Sequence, residues 1–197
     1  MEPRFARALS TLTELFNKAA IALEVPIRFA LIGGLGVSAW GAVRATEDID
    51  LLADSEPSPL RDVKLRGRLQ TYLEEKGCVA EWRFGDSDDP VPLLLGLKLP
   101  RHAAGVAADV LWAHKRWQRE ALSRTVALKV SQMEIFVLHP EDLILMKLDA
   151  GGPQDLLDVE RLLSNAPDQL NLKSLQKKAA SLRLGEILDK CLRSVSD

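Results

Sequence analysis

The sequence contains few residues that bind metals through sulfur or nitrogen. Only two of its 197 residues are cysteine and only three are histidine. Cys78 and Cys191 lie far apart in the chain, neither belongs to a CxxC motif, and the histidines show no HxxxH spacing. These absences argue against a disulfide framework and against a zinc knuckle.

The chain also lacks an excess of positive charge and a long apolar run. Lys and Arg total 26 against 28 Asp and Glu, a net charge of -2. This balance excludes binding of nucleic acid through bulk charge, but it does not exclude binding through local basic patches. No stretch approaches the roughly 18 apolar residues of a membrane span, and the N-terminal segment is amphipathic rather than a signal sequence. With 47% hydrophobic and 27% charged residues, we expect a soluble, reduced, cytoplasmic protein.

The pattern of apolar residues predicts an α/β (α+β) core followed by a helical region. A helical period runs from Phe5 to a stop at Pro26. Further helices are predicted at 35–42, 60–76 and 114–124, and strands at 27–32, 47–52, 78–84, 91–99, 106–112, 126–130 and 133–138. Residues 86–90 are predicted to form an exposed turn, and 100–105 a hairpin connection. We therefore expect a core domain over 1–138 and a C-terminal helical region over 139–197, with breaks near 151–153 and 166–168.

One short segment carries two acids in a strand-like alternation. Asp48 and Asp50 lie two residues apart, so both carboxylates project from the same face of a strand. Two neighbouring carboxylates repel each other, and a divalent cation relieves that repulsion. Mg²⁺ suits such a pair because it prefers oxygen ligands. A solvated edge strand with alternating acids is the structural alternative.

A third acid lies in a later apolar strand. Asp109 is the only acid between residues 91 and 115. A site with two metal ions needs a third carboxylate on a neighbouring strand, and Asp109 is the candidate. The alternative is that Asp109 accepts backbone hydrogen bonds near a strand end.

Residues just before the acid pair have features of a phosphate site. Gly33 and Gly34 end a strand and open a helix, where absent side chains let a phosphate approach the backbone. Arg44 and Thr46 could add a guanidinium and a hydroxyl.

This set of motifs resembles the nucleotidyltransferase superfamily related to DNA polymerase β. The shared elements are the GG at the strand–helix junction, the R-x-T-x-D-h-D segment over 44–50, and the lone strand acid Asp109. The C-terminal blocks LHPEDLILMKL (138–148) and DLLDV (155–159) resemble the abortive-infection (AbiEii-type) branch, which includes toxins of toxin–antitoxin systems. The resemblance covers roughly residues 29 to 162.

The resemblance implies a nucleotidyltransferase fold, with a small mixed sheet flanked by helices and a C-terminal helical bundle. It implies transfer of a nucleotidyl group from an NTP, with Mg²⁺ or Mn²⁺, to a hydroxyl of an RNA such as tRNA, a protein or a small molecule. A cognate antitoxin is a further implied partner. The implied metal-binding and catalytic residues are Asp48, Asp50 and Asp109, and the implied nucleotide-binding residues are Gly33, Gly34, Arg44, Thr46, Lys147 and Asp155.

The sequence departs from the family pattern in two places. Gly34 stands where one subgroup has serine, and Gly152, Pro153 and Gln154 precede Asp155 where a basic residue is common. The missing basic residue favours the alternative of a non-catalytic antitoxin or nucleotide-sensing partner, whereas the three acids favour an enzyme. Lys147 could also be an exposed helix lysine, and Asp155 with Asp158 could merely favour a helix N-terminus.

Two other hypotheses remain. The segment 34–39 fits G-x-G-x-x-A, with Asp54 at the position of the ribose-binding acid of a dinucleotide-binding fold. Basic stretches beside Trp112 and Trp117 could also bind RNA, or form solvated helix faces; their cations are Lys115, Arg116, Arg119 and Arg124, with a second run at Lys173, Lys177, Lys178 and Arg183.

Overall fold

The computed structural model describes residues 2–85, 91–130, 133–165 and 170–195. The strands are β1 (Ile27–Leu31), β2 (Asp48–Ser55), β3 (Val79–Phe84), β4 (Leu93–Lys98), β5 (Ala107–Trp112), β6 (Val126–Val130) and β7 (Met133–Val137). The helices are α1 (Pro3–Leu23), α2 (Gly33–Ala39), α3 (Val63–Glu75), α4 (Arg116–Ala121), α5 (Pro140–Ala150), α6 (Pro153–Ser164), α7 (Leu172–Ser181) and α8 (Gly185–Ser194).

The strands form one mixed sheet in the order β3-β4-β5-β2-β1-β7-β6. Strand β2 runs antiparallel to β1 and parallel to β5, and β1 runs parallel to β7. The other neighbours are antiparallel. Because β2 and β5 are parallel, their N-terminal ends lie side by side near the middle of the sheet. The predicted mixed sheet flanked by helices is therefore confirmed.

Helix α1 covers the sheet with the apolar stripe that its sequence predicts. Phe5, Leu9, Leu12 and Phe16 are almost completely buried, and the helix contacts α3, β1 and β7. It ends at Leu23, because Glu24 adopts a left-handed conformation and Pro26 follows. Among the described residues, no helix is both long enough and apolar enough to span a membrane.

The acids at the start of α5 form hydrogen bonds that connect the C-terminal helices to the core. Glu141 is buried and accepts hydrogen bonds from Asn171 N at 3.0 Å and Ser174 Oγ at 3.2 Å, both at the start of α7. Asp142, also buried, accepts from Arg124 Nη2 at 2.6 Å. These buried acids thus have a structural use. The predicted division into two domains near residue 138 stays a prediction.

Several predicted boundaries differ from the structure. Helix α2 begins at Gly33 rather than at residue 35, because the positive φ of Gly33 (58°) turns the chain from the strand into the helix at once. Helix α3 begins at Val63, where Asp62 caps it, and α4 spans only Arg116–Ala121. The β4–β5 connection is a hairpin link that contains one short 3₁₀ turn, Arg101–Ala103. The predicted exposed turn at 86–90 and the predicted break at 166–168 lie outside the described residues.

Candidate active site

The three strand acids converge on one face of the sheet. Asp48 and Asp50 alternate along β2, and Asp109 of β5 lies directly opposite Asp50 in the parallel register. Each contributes a carboxylate oxygen to a group whose members lie within 4.8 Å of one another. Three oxygen ligands at this spacing fit the donor set of a hard divalent cation.

Burial and mutual repulsion of the acids outweigh the positive charge of Lys147, Arg44 and Arg83 near the cluster. Burial, followed by repulsion from Asp48 and Asp109, raises the pKa of Asp50 to about 6. Burial also raises the pKa of Asp109, and Arg83 opposes this rise. Asp50 is therefore mostly ionised at neutral pH, where the neighbouring like charges favour binding of a cation. A divalent cation would relieve the repulsion that the fold maintains here.

The glycine pair borders the carboxylates closely. A Cβ on Gly33 would lie 1.8 Å from Asp50 Oδ2, and one on Gly34 would lie 2.8 Å from the guanidinium of Arg44. Thr46 Oγ1 donates to Asp48 Oδ1 at 3.0 Å. The backbone at 33–34 is thus held beside the acids, and no side chain other than hydrogen fits there.

A buried carboxylate joins the two predicted phosphate-binding cations. Asp158 is fully buried, and its oxygens lie 3.1 Å from Arg44 Nε and 3.0 Å from Lys147 Nζ. Lys147 Nζ also donates to Asp155 Oδ1 at 2.7 Å. The side chain of Lys147 is only 12% exposed, so the structural alternative of an exposed helix lysine is wrong.

Sequence reasoning missed the part that Asp158 takes in this network. Asp155 and Asp158 are three residues apart on α6, so both carboxylates lie on one helix face. That spacing was the available signal. Asp155 is itself an anion, and it pairs with Lys147 at 2.7 Å.

Two clefts meet at the carboxylates. The helix-side cleft, about 160 Å³, lies between the sheet and helices α5 and α6, and its polar lining is Gly33, Asp50, Lys147 and Asp155. The strand-side cleft, about 420 Å³, lies over β3, β4 and β5, and its lining includes Asp48, Asp109, Glu81, Arg83, Gly96 and Lys98. The three acids therefore lie between two clefts that are lined by different residues.

No sequence motif points to Arg83, which the structure brings next to Asp109. Its guanidinium lies over Gly96, where a Cβ would be 2.9 Å from Nη2, and its Nη1 is 3.8 Å from Asp109 Oδ1. The contact depends on two antiparallel strand pairings, β3 with β4 and β4 with β5. A single sequence does not reveal those registers.

The dinucleotide-binding hypothesis is wrong. That fold needs a parallel pair of strands joined by the first helix, but β1 and β2 are antiparallel. Asp54 is buried and pairs with Arg28 at 2.6 Å. It therefore serves as a structural ion-pair partner at the far end of β2.

The structure also weakens the RNA-binding hypothesis. Trp112 is buried in the core, and Trp117 packs against the core. The four cations around them pair with acids of the chain: Lys115 with Asp149, Arg116 with Glu120, Arg119 with Asp54, and Arg124 with Asp142. In the second run, Lys178 pairs with Glu141. The helix formed by 116–121 is thus held largely by internal ion pairs.

Comparison with known proteins gives one family and a shared fold. The family model described as "Nucleotidyltransferase of unknown function (DUF6036)" matches residues 7–190. An antigenic nucleotidyltransferase-like protein from Paracoccidioides brasiliensis has a similar structure, with a TM-score of 0.50, 18% identity, and coverage of 94% of this chain and 92% of that chain. ANT(2")-Ia in complex with adenylyl-2"-tobramycin has a TM-score of 0.51, 17% identity, and coverage of 88% and 95%. No curated protein matches the chain in sequence.

Proposed function

The chain belongs to the nucleotidyltransferase family DUF6036, and from that premise we propose that it transfers a nucleotidyl group from an NTP to a hydroxyl with the help of Mg²⁺ or Mn²⁺. The observation that carries the proposal is the convergence of Asp48, Asp50 and Asp109 within 4.8 Å. The repulsion that raises the pKa of Asp50 to about 6 gives the cluster a reason to bind a cation.

Asp48, Asp50 and Asp109 would hold the metal. Bound there, a divalent ion would stabilise negative charge on the transferred phosphoryl group and on the leaving pyrophosphate. Asp109 faces the strand-side cleft, where its carboxylate would orient the acceptor hydroxyl and take its proton. The oxygen–phosphorus bond to the acceptor would form as the bond to pyrophosphate breaks.

The helix-side cleft would hold the triphosphate. Gly33 and Gly34 leave backbone open beside Asp50, and Lys147 lines the same cleft. Asp158 would fix Lys147 from α5 and Arg44 from the loop before β2 in one arrangement, because both cations contact its carboxylate. Thr46 would assist by holding Asp48 through its hydrogen bond.

The acceptor that we favour is a small molecule. ANT(2")-Ia, which shares the fold, is seen with adenylyl-2"-tobramycin, a nucleotidylated small molecule. The basic helix α4 uses its cations in internal ion pairs, which removes one reason to favour RNA. The C-terminal blocks resemble the abortive-infection branch, and on that basis a toxin role in the cytoplasm, with a cognate antitoxin, remains a narrower proposal.

A non-catalytic role is the second candidate. The residues before Asp155 are Gly152, Pro153 and Gln154, so the family's usual cation is missing there. The buried network of Lys147, Arg44 and Asp158 supports the enzyme instead, because it supplies two cations to the same region.

Incubation with α-labelled NTPs tests the proposal. The wild type, with Mg²⁺ or Mn²⁺, should release pyrophosphate and label an acceptor in a cell extract, and Asp50→Asn should do neither. Exposed Asp189 provides the matched control, since Asp189→Asn should label the acceptor as the wild type does. If the wild type binds NTP but never releases pyrophosphate, the binding-partner candidate is preferred.

A further inference from the structure

The position of the strand-side cleft, its small lining residues and its charged side chains suit the binding of an acceptor. Building on the proposed nucleotidyl transfer, we propose that this cleft binds a small hydroxylated acceptor that carries an anionic group, a carboxylate or a phosphate, recognised by Arg83 and Lys98. The cleft has a volume of about 420 Å³. That volume lies within the roughly 300–1,000 Å³ of small-molecule sites.

The position of the cleft follows from strand register. Asp50, Asp109, Gly96 and Glu81 form one row across β2, β5, β4 and β3. The cleft is lined by Asp48 and Asp109, whereas Gly33, Asp50 and Lys147 line the neighbouring helix-side cleft on the same face of the sheet. An acceptor in the strand-side cleft would therefore reach the acids from a different cleft than a triphosphate in the helix-side cleft, which leaves room for the acceptor to displace pyrophosphate.

Small residues make the floor of the cleft. Gly96 on β4 and Ala107 on β5 lie between the acids and the edge strand β3. Any side chain at position 96 would meet the guanidinium of Arg83, since a Cβ there would lie 2.9 Å from Nη2. Glycine at 96 thus lets Arg83 lie flat beside Asp109.

With a divalent cation bound to Asp48, Asp50 and Asp109, the remaining charges around the floor favour an anion. Arg83 contacts Glu81 at 3.6 Å and Asp109 at 3.8 Å, and its side chain is 56% exposed. A cation held by Asp109 would weaken the pull of that carboxylate on Arg83. Lys98 is exposed at the rim and has no ion pair within the described residues. Outside the three acids, the two cations therefore outnumber the single anion, Glu81.

The distance from Arg83 to Asp109 also limits the acceptor. A hydroxyl at Asp109 and an anionic group at Arg83 must lie a few bonds apart, as in a hydroxy acid or a polyol phosphate. In the reaction, the acceptor oxygen bonds to the α-phosphorus, pyrophosphate leaves with its bonding electrons, and the hydroxyl proton passes to Asp109. No further reactant is required.

An acceptor panel with wild-type protein tests the charge preference. The probes are glycerate and glycerol 3-phosphate, which separate a carboxylate from a phosphate, with neutral glycerol and cationic glucosamine for comparison, each with α-labelled NTPs and Mg²⁺. We expect at least one anionic probe to have kcat/KM about 10- to 100-fold above glycerol, the effect of a charge-assisted contact. Equal labelling of all probes, or stronger labelling of glucosamine, RNA or protein, would overturn the acceptor class.

Two variants tie that preference to the cleft. Lys98→Glu should remove the preference for the anionic probe and favour glucosamine, while Lys190→Glu, the same change at an exposed position on α8, should leave it unaltered. Gly96→Val should displace Arg83 and lower transfer to the anionic probe about 10-fold or more. Its shift in melting temperature with Mg²⁺ and NTP should match that of the wild type.

The measurements separate two failures. If the wild type neither responds to Mg²⁺ and NTP nor labels any acceptor, the proposed function fails and the acceptor assignment falls with it. If the wild type responds and labels acceptors but Lys98→Glu and Gly96→Val keep the same preference, only the strand-side assignment is wrong. Should Gly96→Val fail to fold, the Lys98→Glu result alone decides.

Discussion

Asp50→Asn should stabilise the metal-free protein at neutral pH. Burial and the neighbouring acids raise the pKa of Asp50 to about 6, so the folded chain binds a proton there more tightly than the unfolded chain does. The stability that this group contributes is present below about pH 4 and is lost as pH rises through about 6. Asparagine has nearly the same shape but carries no charge, so the variant avoids that loss.

The expected gain follows from the size of the pKa change. A rise of about two pH units above the ordinary value of an aspartate corresponds to roughly 3 kcal/mol. Because Asp50 is only partly buried, we expect about 1–3 kcal/mol of added stability at pH 8. For a chain of this size the melting temperature should rise by about 3–10 °C.

Thermal and urea unfolding in EDTA, from pH 4 to pH 8, measure this effect. The gap between variant and wild type should be small at pH 4, grow up to about pH 6, and stay constant above pH 7. Mg²⁺ should close or reverse the gap, because metal that binds only the folded wild type adds about 2.7 kcal/mol at 100 times its Kd, and about 4 kcal/mol at 1,000 times. The variant should gain nothing from Mg²⁺.

The stability of Asp50→Asn can contradict this prediction in three ways. If Asp50→Asn is less stable than the wild type at pH 8 without metal, or if the gap is the same at pH 4, like-charge repulsion does not dominate the cluster. If the variant keeps the Mg²⁺ response, the metal binds elsewhere. Asp189→Asn, on exposed α8, should show neither the pH-dependent gap nor a changed Mg²⁺ response.

Three further substitutions examine the phosphate side of the site. Lys147→Ala should weaken NTP binding, measured by calorimetry, by about 1.5–3 kcal/mol, the value of a charged hydrogen bond; unchanged affinity would remove this lysine from the site. Asp158→Asn should raise the KM for NTP about tenfold or more and lower stability by roughly 3 kcal/mol, because it removes a buried carboxylate that pairs with three cations, Arg44, Lys147 and Arg161. Asp149→Asn, which breaks an ion pair on the same α5 helix, should lower stability without altering that KM. Gly33→Ala should abolish the Mg²⁺-induced rise in melting temperature, because its Cβ would overlap a carboxylate at 1.8 Å. Gly41 also has a positive φ, but a Cβ built there would have no atom within 4 Å. Gly41→Ala should therefore introduce only backbone strain and keep the metal response.

The sequence alone was sufficient for the fold class and for placing Asp48 and Asp50 on one face of a strand, whereas the position of Asp109 beside them depends on the pairing of β2 with β5. Alternation along a strand puts Asp48 and Asp50 on one face by local geometry. The helical period of α1 likewise predicts its buried stripe before any packing is known. Such periodicities are properties of neighbouring residues, which is why a single chain reveals them.

The exact first and last residues of the helices were harder to predict from the sequence. The start of α2 depends on the positive φ of Gly33, and the start of α3 depends on the Asp62 cap. Both are local, but several adjacent residues satisfy the same sequence preferences. Packing against the sheet selects among them.

The contacts of the charged residues were decided by tertiary structure. Asp158 reaches Arg44 across more than a hundred residues of chain, and Arg83 reaches Asp109 only because β4 pairs with both β3 and β5. Charge–charge contacts depend on where side chains meet in space, and sequence separation carries no information about that. The chain's own pattern therefore determined which side chains are available, whereas strand register and helix docking decided which cations line the helix-side cleft and which line the strand-side cleft.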